Sequence, residues 1–255
     1  MRDLSGKTVW ITGAGTGIGA AAAERLAAAG CRVILSGRRA QPLQEIAARI
    51  AAIGGDVAVA PLDVADRNAV AETAESIRLE HGPVDILINN AGINVPERHW
   101  TQISHDDWDA VIQIDLNGAF YCTQTVLPDM RARKEGLIIN VSSWAGVRVS
   151  YLTGPAYNAA KHAMTAMTES LNMEECVNGI RACAICPGEV ATPIMDKRPV
   201  PIPAEDRVRM VQPEDMGETI HFIAAMPSHV CVNQLIISPT WNRGYVKFHQ
   251  DNGLE

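Results

Sequence analysis

The sequence predicts an α/β domain in which helices cover both faces of a doubly wound, mainly parallel sheet of seven strands. Seven short apolar or β-branched runs alternate with amphipathic helical patterns along the 255 residues, and this alternation is typical of βαβ units. A glycine-rich turn joins the first run to the first helical pattern. Since no linker, repeat or low-complexity segment interrupts the alternation, we predict one domain over residues 1–255.

The predicted strands are short apolar runs, and the predicted helices are the longer patterns between them. In chain order the strands are KTVWITG, CRVILSG, DVAVAPLDV, VDILINN, GLIINVSS, IRACAICPG and NQLIISP. Helices are predicted at 18–29, 40–52, 66–81, 105–132, 155–178 and 213–226, because apolar residues recur there with the helical period.

Composition is that of an ordinary globular protein, with 47% hydrophobic and 20% charged residues. The net charge of −7 lacks the basic footprint of a nucleic-acid-binding protein. No stretch reaches the length of a membrane span, and the opening MRDLSGKTVWITG lacks the apolar core of a signal peptide. Together with six cysteines scattered through apolar segments, this predicts a cytoplasmic protein.

Cys183 and Cys186 form a C-x-x-C pattern that is typical of some metal and redox sites. They lie in a predicted strand, where residues three apart face opposite sides. No second Cys/His pair stands at metal spacing. We therefore predict two structurally buried thiols and no metal site.

The glycines of WITGAGTGIGAAAAERL lie where the first strand ends and the first helix begins. Gly13, Gly17 and Gly19 would let the main chain approach a pyrophosphate, while the helix N-terminus supplies free N–H groups. The alternative is a tight turn that binds no ligand. The position between a strand and a helix favours a dinucleotide site.

Tyr157 and Lys161 stand four residues apart in PAYNAAKHAMTAM. On a helix they share a face, so the ammonium lies beside the phenol and favours its ionisation. Such a pair suits proton transfer in a cleft. The alternative is a partly exposed surface pair.

Two predicted helices, WDAVIQIDLNGAFYCTQTVLPDM and AYNAAKHAMTAMTESLNM, carry small or apolar residues around most of their circumference. A helix that is apolar on more than one stripe is buried on more than one side. The sheet covers one side, which favours a partner subunit on the other. Flanking loops are the alternative cover.

Five motifs resemble the short-chain dehydrogenase/reductase family, and they occur in the family's order over nearly the whole chain. TGAGTGIG matches TGxxxGxG, NNAG at residues 89–92 follows the fourth strand, and YNAAK matches YxxxK. VSSWAG matches the family's serine segment, and PGEVAT at residues 187–192 matches PGxVxT.

The resemblance implies a Rossmann-like fold, a homotetramer or homodimer, and hydride transfer between a nicotinamide cofactor and a small alcohol or carbonyl compound. It implies that Ser143, Tyr157 and Lys161 are catalytic, with Lys161 also holding the nicotinamide ribose. The implied cofactor contacts are Gly13, Thr16, Gly17, Ile18, Gly19, Asp63, Val64, Asn90, Tyr157, Lys161, Val190 and Thr192. Asp63 would meet the adenine, although DVADRN is also a helix-cap signal.

NADP is favoured over NAD because VILSGRRAQ has no acidic residue at the end of the second strand. An acidic residue there would hold the ribose 2′-hydroxyl. Arg38 and Arg39 follow instead, and a guanidinium matches a 2′-phosphate. The alternative is a solvated helix start with two incidental arginines.

Asp115 departs from the family pattern. Alignment on Leu116 and Gly118 places Asp115 where the family has an asparagine in N-L-x-G. The family's residue acts through its main-chain carbonyl and a water that leads to the lysine. A main-chain role survives the change to aspartate, and a carboxylate near Lys161 would alter the proton relay.

The substrate end is predicted in the short, Pro-rich loop at residues 188–212. Prolines stiffen a loop, which favours a small substrate over a large one. Ser143, Trp144, Arg148 and Met195 are candidate substrate contacts by position, with an exposed loop arginine as the alternative for Arg148. The segment MPSHVCVNQLIISPT and the GRR after strand two resemble the bacterial NADP-dependent 3-hydroxy acid (serine or allo-threonine) dehydrogenases.

The tail at residues 241–255 carries three aromatic residues and either docks or frays. A non-catalytic, redox-sensing NADP-binding regulator is the alternative function for the whole chain. The complete Ser–Tyr–Lys set favours the enzyme.

Overall fold

The computed structural model describes residues 1–198 and 200–253. Seven strands form one sheet in the order β3-β2-β1-β4-β5-β6-β7, and every neighbouring pair is parallel. The strands are β1 (Thr8–Thr12), β2 (Arg32–Ser36), β3 (Asp56–Val59), β4 (Ile86–Asn89), β5 (Gly136–Val141), β6 (Ile180–Pro187) and β7 (Gln234–Ile237). The predicted fold class is confirmed.

Helices connect the strands and cover both faces of the sheet. In the described part of the chain they are α1 (Gly17–Ala28), α2 (Ala40–Ala52), α3 (Arg67–His81), α4 (His105–Ile112), α5 (Gly118–Arg133), α6 (Gly154–Glu175), α7 (Ala204–Arg207), α8 (Pro213–Ala224) and α9 (Arg243–Asn252). None of the described helices is long and apolar enough to cross a membrane.

Two apolar layers lie on the two faces of the sheet, and successive side chains of β1 alternate between them. Val9 and Ile11 belong to the layer that α1 and α8 cover. Trp10, which points to the other side, belongs to the layer under α3 and α5. All three side chains are fully buried, as expected for a parallel strand covered on both faces.

The prediction of one continuous helix over residues 105–132 is wrong in one respect. A π-helical turn at Gln113–Asn117 interrupts it and separates α4 from α5. Such turns insert an extra residue into a helix and are frequent at functional sites. The periodicity of the sequence does not reveal it, because apolar residues continue on both sides of the turn.

The tail forms a helix that sequence periodicity did not predict. Asn242 caps α9, since its side-chain oxygen accepts hydrogen bonds from the main-chain N–H groups of Gly244 and Tyr245. The predicted substrate loop contains a 3₁₀ turn at Pro193–Lys197 and the short α7. Residues 254 and 255 of the predicted tail lie outside the described residues.

Candidate active site

The candidate site is a cleft of about 700 Å³ at the carboxyl ends of the strands. It opens where the strand order reverses between β1 and β4, which is where open α/β sheets bind their ligands. Its walls are the segments that follow β1, β2, β4, β5 and β6. The predicted contacts that line it are Gly13, Thr16, Gly17, Ile18, Arg38, Arg39, Asp63, Val64, Asn90, Ser143, Tyr157, Lys161, Val190, Thr192 and Met195.

The glycine turn is pressed tightly between neighbouring loops. Gly13 has φ +65°, and a Cβ added there would lie 2.9 Å from the Cα of Ala91. Gly17 has φ +57°, and its added Cβ would lie 2.9 Å from Cγ2 of Thr192. Both the backbone conformation and the space therefore require glycine.

The N-terminus of α1 opens into this cleft. Thr16 is the N-cap residue, yet its side chain makes no capping hydrogen bond. The first N–H groups of a helix have no partner within the helix, so those of α1 are suited to receive a phosphate.

Asn90 braces the glycine turn. Its side-chain amide donates hydrogen bonds to the main-chain oxygens of Thr12, at 3.1 Å, and Gly13, at 3.0 Å. Gly19 is buried against that amide, because a Cβ there would lie 2.5 Å from Nδ2 of Asn90. Gly19 is absent from the described lining of the cleft, so its role is close packing beneath the turn.

The end of β2 carries no side chain that could reach a ribose. Ser36 is buried, and its hydroxyl donates to the main-chain oxygen of Ala60 at 2.7 Å while accepting from Nε1 of Trp10 at 2.9 Å. Arg38 and Arg39 are exposed along the cleft. Neither forms an ion pair within the described part of the chain, so their guanidiniums are available to a ligand.

Asp63 lines the cleft and does not cap α3. Its carboxylate accepts a hydrogen bond from the N–H of Ala65 at 3.0 Å. Asp66 is the N-cap residue of α3 and accepts from Asn68 and Ala69. The helix-cap signal in the sequence therefore belongs to Asp66.

Ser143, Tyr157 and Lys161 come together at the other end of the cleft. Ser143 follows β5, and the two other residues lie in the first turns of α6. Nζ of Lys161 lies 5.4 Å from the centre of the Tyr157 ring, and the Ser143 hydroxyl is close enough to the Tyr157 phenol to lower the pKa of the phenol. Ser142 is engaged elsewhere, since its hydroxyl donates to the main-chain oxygen of Lys161 at 3.0 Å.

Asp115 is the fourth member of this group. It lies in the π turn and is 0% exposed. Oδ1 accepts a hydrogen bond from the N–H of Ile93 at 2.7 Å, and Oδ2 lies 3.2 Å from Nζ of Lys161. The ammonium also donates to the main-chain oxygen of Val141 at 3.2 Å. The carboxylate of Asp115 therefore lies beside Lys161, which is the arrangement in which it would alter the proton relay.

Burial and the neighbouring opposite charges shift the pKa values of this group in opposite directions. Burial raises the pKa of Tyr157, and the Asp115 carboxylate raises it further, whereas Lys161 and the hydrogen bond from Ser143 oppose that rise. Burial alone would lower the pKa of Lys161, but Asp115 and Tyr157 hold it above its ordinary value. Burial raises the pKa of Asp115, and Lys161 opposes this.

Replacing Asp115 by asparagine should move the pH–rate profile of alcohol oxidation to lower pH. The carboxylate raises the Tyr157 pKa, so its removal lets Lys161 stabilise the phenolate more strongly and the phenol ionises at lower pH. The measurement is log kcat against pH for both forms. An unmoved profile would show that Asp115 carries no charge that the phenol senses, and complete inactivity would assign the carboxylate a required role.

The residues that line the predicted substrate end of the cleft differ from those predicted by position in the sequence. Met195 lines the cleft, whereas Trp144 and Arg148 are absent from its described lining. The Arg148 guanidinium lies 6.0 Å from the centre of the Trp144 ring, and that ring lies 6.0 Å from the ring of Tyr245 in α9. Their contribution to substrate binding stays a prediction.

Sequence reasoning missed two arginines that line the cleft, Arg98 and Arg198. Arg98 lies in the loop after β4, and Arg198 follows the 3₁₀ turn at Pro193–Lys197. No motif marks either residue. Only their position after β4 and β6, at the carboxyl edge of a parallel sheet, is a signal in the sequence.

Cys183 and Cys186 are buried free thiols. Burial raises the pKa of Cys183 to about 12, which leaves it protonated and unreactive. Within residues 1–198 and 200–253, no group of three or more His, Cys, Asp or Glu side chains is arranged to hold a metal ion.

A glycine turn at the switch point of a parallel sheet, in one cleft with a Ser–Tyr–Lys group, is the architecture of a dinucleotide-dependent oxidoreductase. Residues 7–200 match the family described as short chain dehydrogenase, and the chain belongs to this family. An uncharacterized oxidoreductase of Staphylococcus aureus (strain MW2) is 33% identical over 239 residues, which are 94% of this chain and all of that protein.

Solved structures agree with this assignment. A metagenomic short-chain oxidoreductase in complex with NADP is 28% identical, with a TM-score of 0.82 over 94% of this chain and 100% of that chain. The closed form of a serine dehydrogenase complexed with NADP⁺ is 31% identical, with a TM-score of 0.83 over 92% of this chain and 96% of that chain. The resemblance found in the motifs is thereby confirmed.

Proposed function

We propose that this chain is a cytoplasmic, NADP-preferring oxidoreductase that interconverts a small alcohol or hydroxy acid and its carbonyl compound. The observation that carries the proposal is a single cleft with Arg38 and Arg39 at one end and Tyr157, Ser143 and Lys161 at the other. Two similar proteins of solved structure hold NADP or NADP⁺, and one of them is a serine dehydrogenase.

The residues of the cleft fit a nicotinamide dinucleotide. Gly13 and Gly17 leave a cradle that a Cβ would fill, and the N-terminus of α1 faces it. When bound, the cofactor supplies or accepts the hydride. Turnover of NADP(H) with a panel of small aldehydes, ketones and hydroxy acids tests the proposal, and failure with every member would contradict it.

The side chains of the cleft transfer the proton and bind the oxygen atom of the substrate. In reduction, Tyr157 gives its proton to the carbonyl oxygen, and in oxidation it takes the proton of the alcohol. Ser143 hydrogen-bonds the same oxygen and orients it. Lys161 stabilises the phenolate, because an ammonium beside a phenol favours the charged form.

The alternative is a non-catalytic regulator that binds NADP on the same fold. The observation that favours an enzyme is that Ser143, Tyr157 and Lys161 all line one cleft. Loss of turnover in a Tyr157 variant that still binds NADPH would distinguish the two, since a regulator has no turnover to lose.

Replacing both Arg38 and Arg39 by alanine should raise the NADPH KM by about 10- to 100-fold and change the NADH KM little. A hydrogen bond to a charged group contributes about 1.5–3 kcal/mol, and tenfold in affinity corresponds to about 1.4 kcal/mol. Steady-state kinetics with both cofactors measure the effect.

Arg49→Ala is the matched control for this test. Arg49 lies in the last turn of α2 and pairs with Glu24 at 2.6 Å, away from the cleft. It should leave both KM values unchanged. Equal increases for NADPH and NADH in the double variant would remove the assignment of the two arginines to a 2′-phosphate.

We also propose a homo-oligomer, a tetramer or a dimer. Its support is the apolar surface that α5 and α6 expose, where Phe120 is 47% and Met173 is 75% exposed. A second copy would remove such side chains from water. Light scattering at micromolar concentration should give a multiple of the 27.5 kDa chain mass, and a stable monomer would contradict the proposal.

A further inference from the structure

We propose that the C-terminal helix α9 positions the loops at the substrate end of the cleft, and that Glu189 and Trp144 are the positioning residues through which it acts. The inference rests on the proposed oxidoreductase function and deepens it by naming what sets the shape of the substrate site. Both residues are absent from the described lining of the cleft, so each acts through a neighbour that does line it.

Glu189 connects α9 to the loop that follows β6. Its carboxylate accepts two hydrogen bonds from the guanidinium of Arg243, the first residue of α9, at 2.6 and 2.8 Å. A carboxylate that an arginine binds in this paired way is fixed in orientation as well as in position. The next residue, Val190, lines the cleft, so the pair holds this loop one residue away from the site.

The same carboxylate also holds Arg198. Oε1 of Glu189 accepts a hydrogen bond from Nη1 of Arg198 at 2.5 Å, and Arg198 lines the cleft. Burial alone would raise the pKa of Glu189, but the hydrogen bonds from Arg243 and Arg198 hold it below its ordinary value. Glu189 therefore stays ionised, and it links α9 to a second residue of the same loop.

Trp144 connects α9 to another loop, the one that follows β5. Its ring lies 6.0 Å from the ring of Tyr245, and the two planes are tilted by 42°. Tyr245 belongs to α9. Trp144 directly follows Ser143, which lines the cleft and is proposed to bind the substrate oxygen. One helix therefore contacts two loops, in each case one residue away from the cleft.

The far part of the predicted substrate loop is held by the same end of the helix. Arg243 lies 3.9 Å from Asp206 of α7. Trp241, just before α9, stacks against the guanidinium of Arg209, which lies 4.7 Å from the ring centre. The start of α9 therefore contacts both the beginning and the end of the loop at residues 188–212.

The two ends of this loop are also joined through the main chain. The N–H of Ala191 donates to the oxygen of Val211 at 2.9 Å, and the N–H of Val211 donates to the oxygen of Glu189 at 3.1 Å. Residues behind a site must hold it to within about 0.5 Å, and a misplacement of about 1 Å can cost about 10²-fold in rate. We therefore expect the loop to open and turnover to fall when α9 is released.

Hydrogen exchange tests the proposal without any substrate. The full chain and Arg243→Met are compared by mass spectrometry, in peptides that cover Ala191 and Val211. Exchange there should accelerate by about tenfold or more, because the loop opens locally once the guanidinium is removed. Arg243→Lys keeps the charge and loses the paired hydrogen bonds, so its rate should lie between the two. Unchanged exchange in Arg243→Met would overturn the proposal.

Arg131→Met is the matched control. Arg131 also binds a buried carboxylate, that of Glu175, through two nitrogen atoms. It lies near the end of α5, before β5 begins, and thus at the edge of the sheet opposite the cleft. It should lower the free energy of unfolding and leave exchange at Val211 unchanged. Faster exchange at Val211 in both variants would indicate a general loss of stability and would overturn the role of α9.

Two further variants test the two contacts separately. Glu189→Gln breaks the same contact as Arg243→Met, so the double variant should behave like Glu189→Gln alone, whereas additive effects would show that the two residues act independently. Tyr245→Ala should accelerate exchange of the Arg148 amide, which donates to the main-chain oxygen of Trp144 at 2.8 Å. Unchanged exchange there would remove Trp144 from the proposal.

Kinetics measure the consequence for the reaction, with 3-hydroxybutanoate and NADP⁺ and with propanal and NADPH. Arg243→Met should lower kcat/KM for these substrates by about 10- to 100-fold. The NADPH affinity should change far less, because the glycine turn, Arg38 and Arg39 follow β1 and β2, whereas α9 contacts the loops after β5 and β6. Arg131→Met should keep the wild-type kcat/KM.

The two proposals fail in different ways. Equal losses of kcat/KM in Arg243→Met and Arg131→Met would overturn the positioning role, even if the wild type is an active oxidoreductase. A wild type that turns over no aldehyde, ketone or hydroxy acid would contradict the proposed function, and the exchange rates would still decide whether α9 holds the two loops.

Discussion

Replacing Tyr157 by phenylalanine should lower kcat by about 10²- to 10⁴-fold, the usual contribution of a positioned acid or base. The substitution removes one oxygen from a half-buried residue and leaves the ring that packs against its neighbours. NADPH affinity should stay close to that of the wild type. Single-turnover kinetics and NADPH fluorescence titration measure the two quantities.

Tyr121→Phe is the control for this substitution. Tyr121 accepts a hydrogen bond from Gln113 at 3.4 Å and is absent from the described lining of the cleft. It should keep wild-type kcat. If Tyr157→Phe also kept wild-type kcat, the phenol would not be the proton donor. If it lost NADPH binding to the same degree as turnover, the effect would be structural.

Replacing Lys161 by methionine should destabilise the protein by about 3–5 kcal/mol, the usual cost of removing one partner from a buried ion pair. Asp115 would remain as a buried carboxylate without its ammonium. NADPH binding and turnover should both fall, because Lys161 is assigned to the ribose and to the phenol. Urea unfolding measures the change in stability.

The loss should depend on pH in a defined direction. Burial raises the Asp115 pKa in the folded protein, and Lys161 opposes that rise, so the methionine variant has the higher value. A carboxyl with a raised folded pKa binds more protons when folded than when unfolded, and stability then falls as pH increases. The variant should therefore be closest to the wild type at acid pH.

The double variant Lys161→Met with Asp115→Asn separates stability from catalysis. Without a buried carboxylate, it should recover part of the lost unfolding free energy and remain inactive. Recovery of turnover would remove Lys161 from the proton relay. A single Lys161 variant as stable as the wild type would show that the pair contributes no net stability.

Local patterns in the sequence were sufficient for the strands and for most helices. The period of apolar residues reports burial directly, so all seven strands lie where the runs predict them. The glycine turn and the Tyr157–Lys161 pair are also local, since each depends on residues a few positions apart. Asp115 was recognised as unusual because a motif surrounds it.

Contacts between distant segments were decided only by the tertiary structure. The carboxylate of Asp115 reaches Lys161 because a π turn interrupts its helix, and no periodicity encodes that turn. Arg98 and Arg198 are 100 residues apart in the chain and line the same cleft, because β4 and β6 end at the same edge of the sheet. The sequence by itself determined the fold and the residues proposed for proton transfer, because both depend on local spacing. The geometry of the substrate end depends on how loops from separate strands pack together, and only the folded chain sets it.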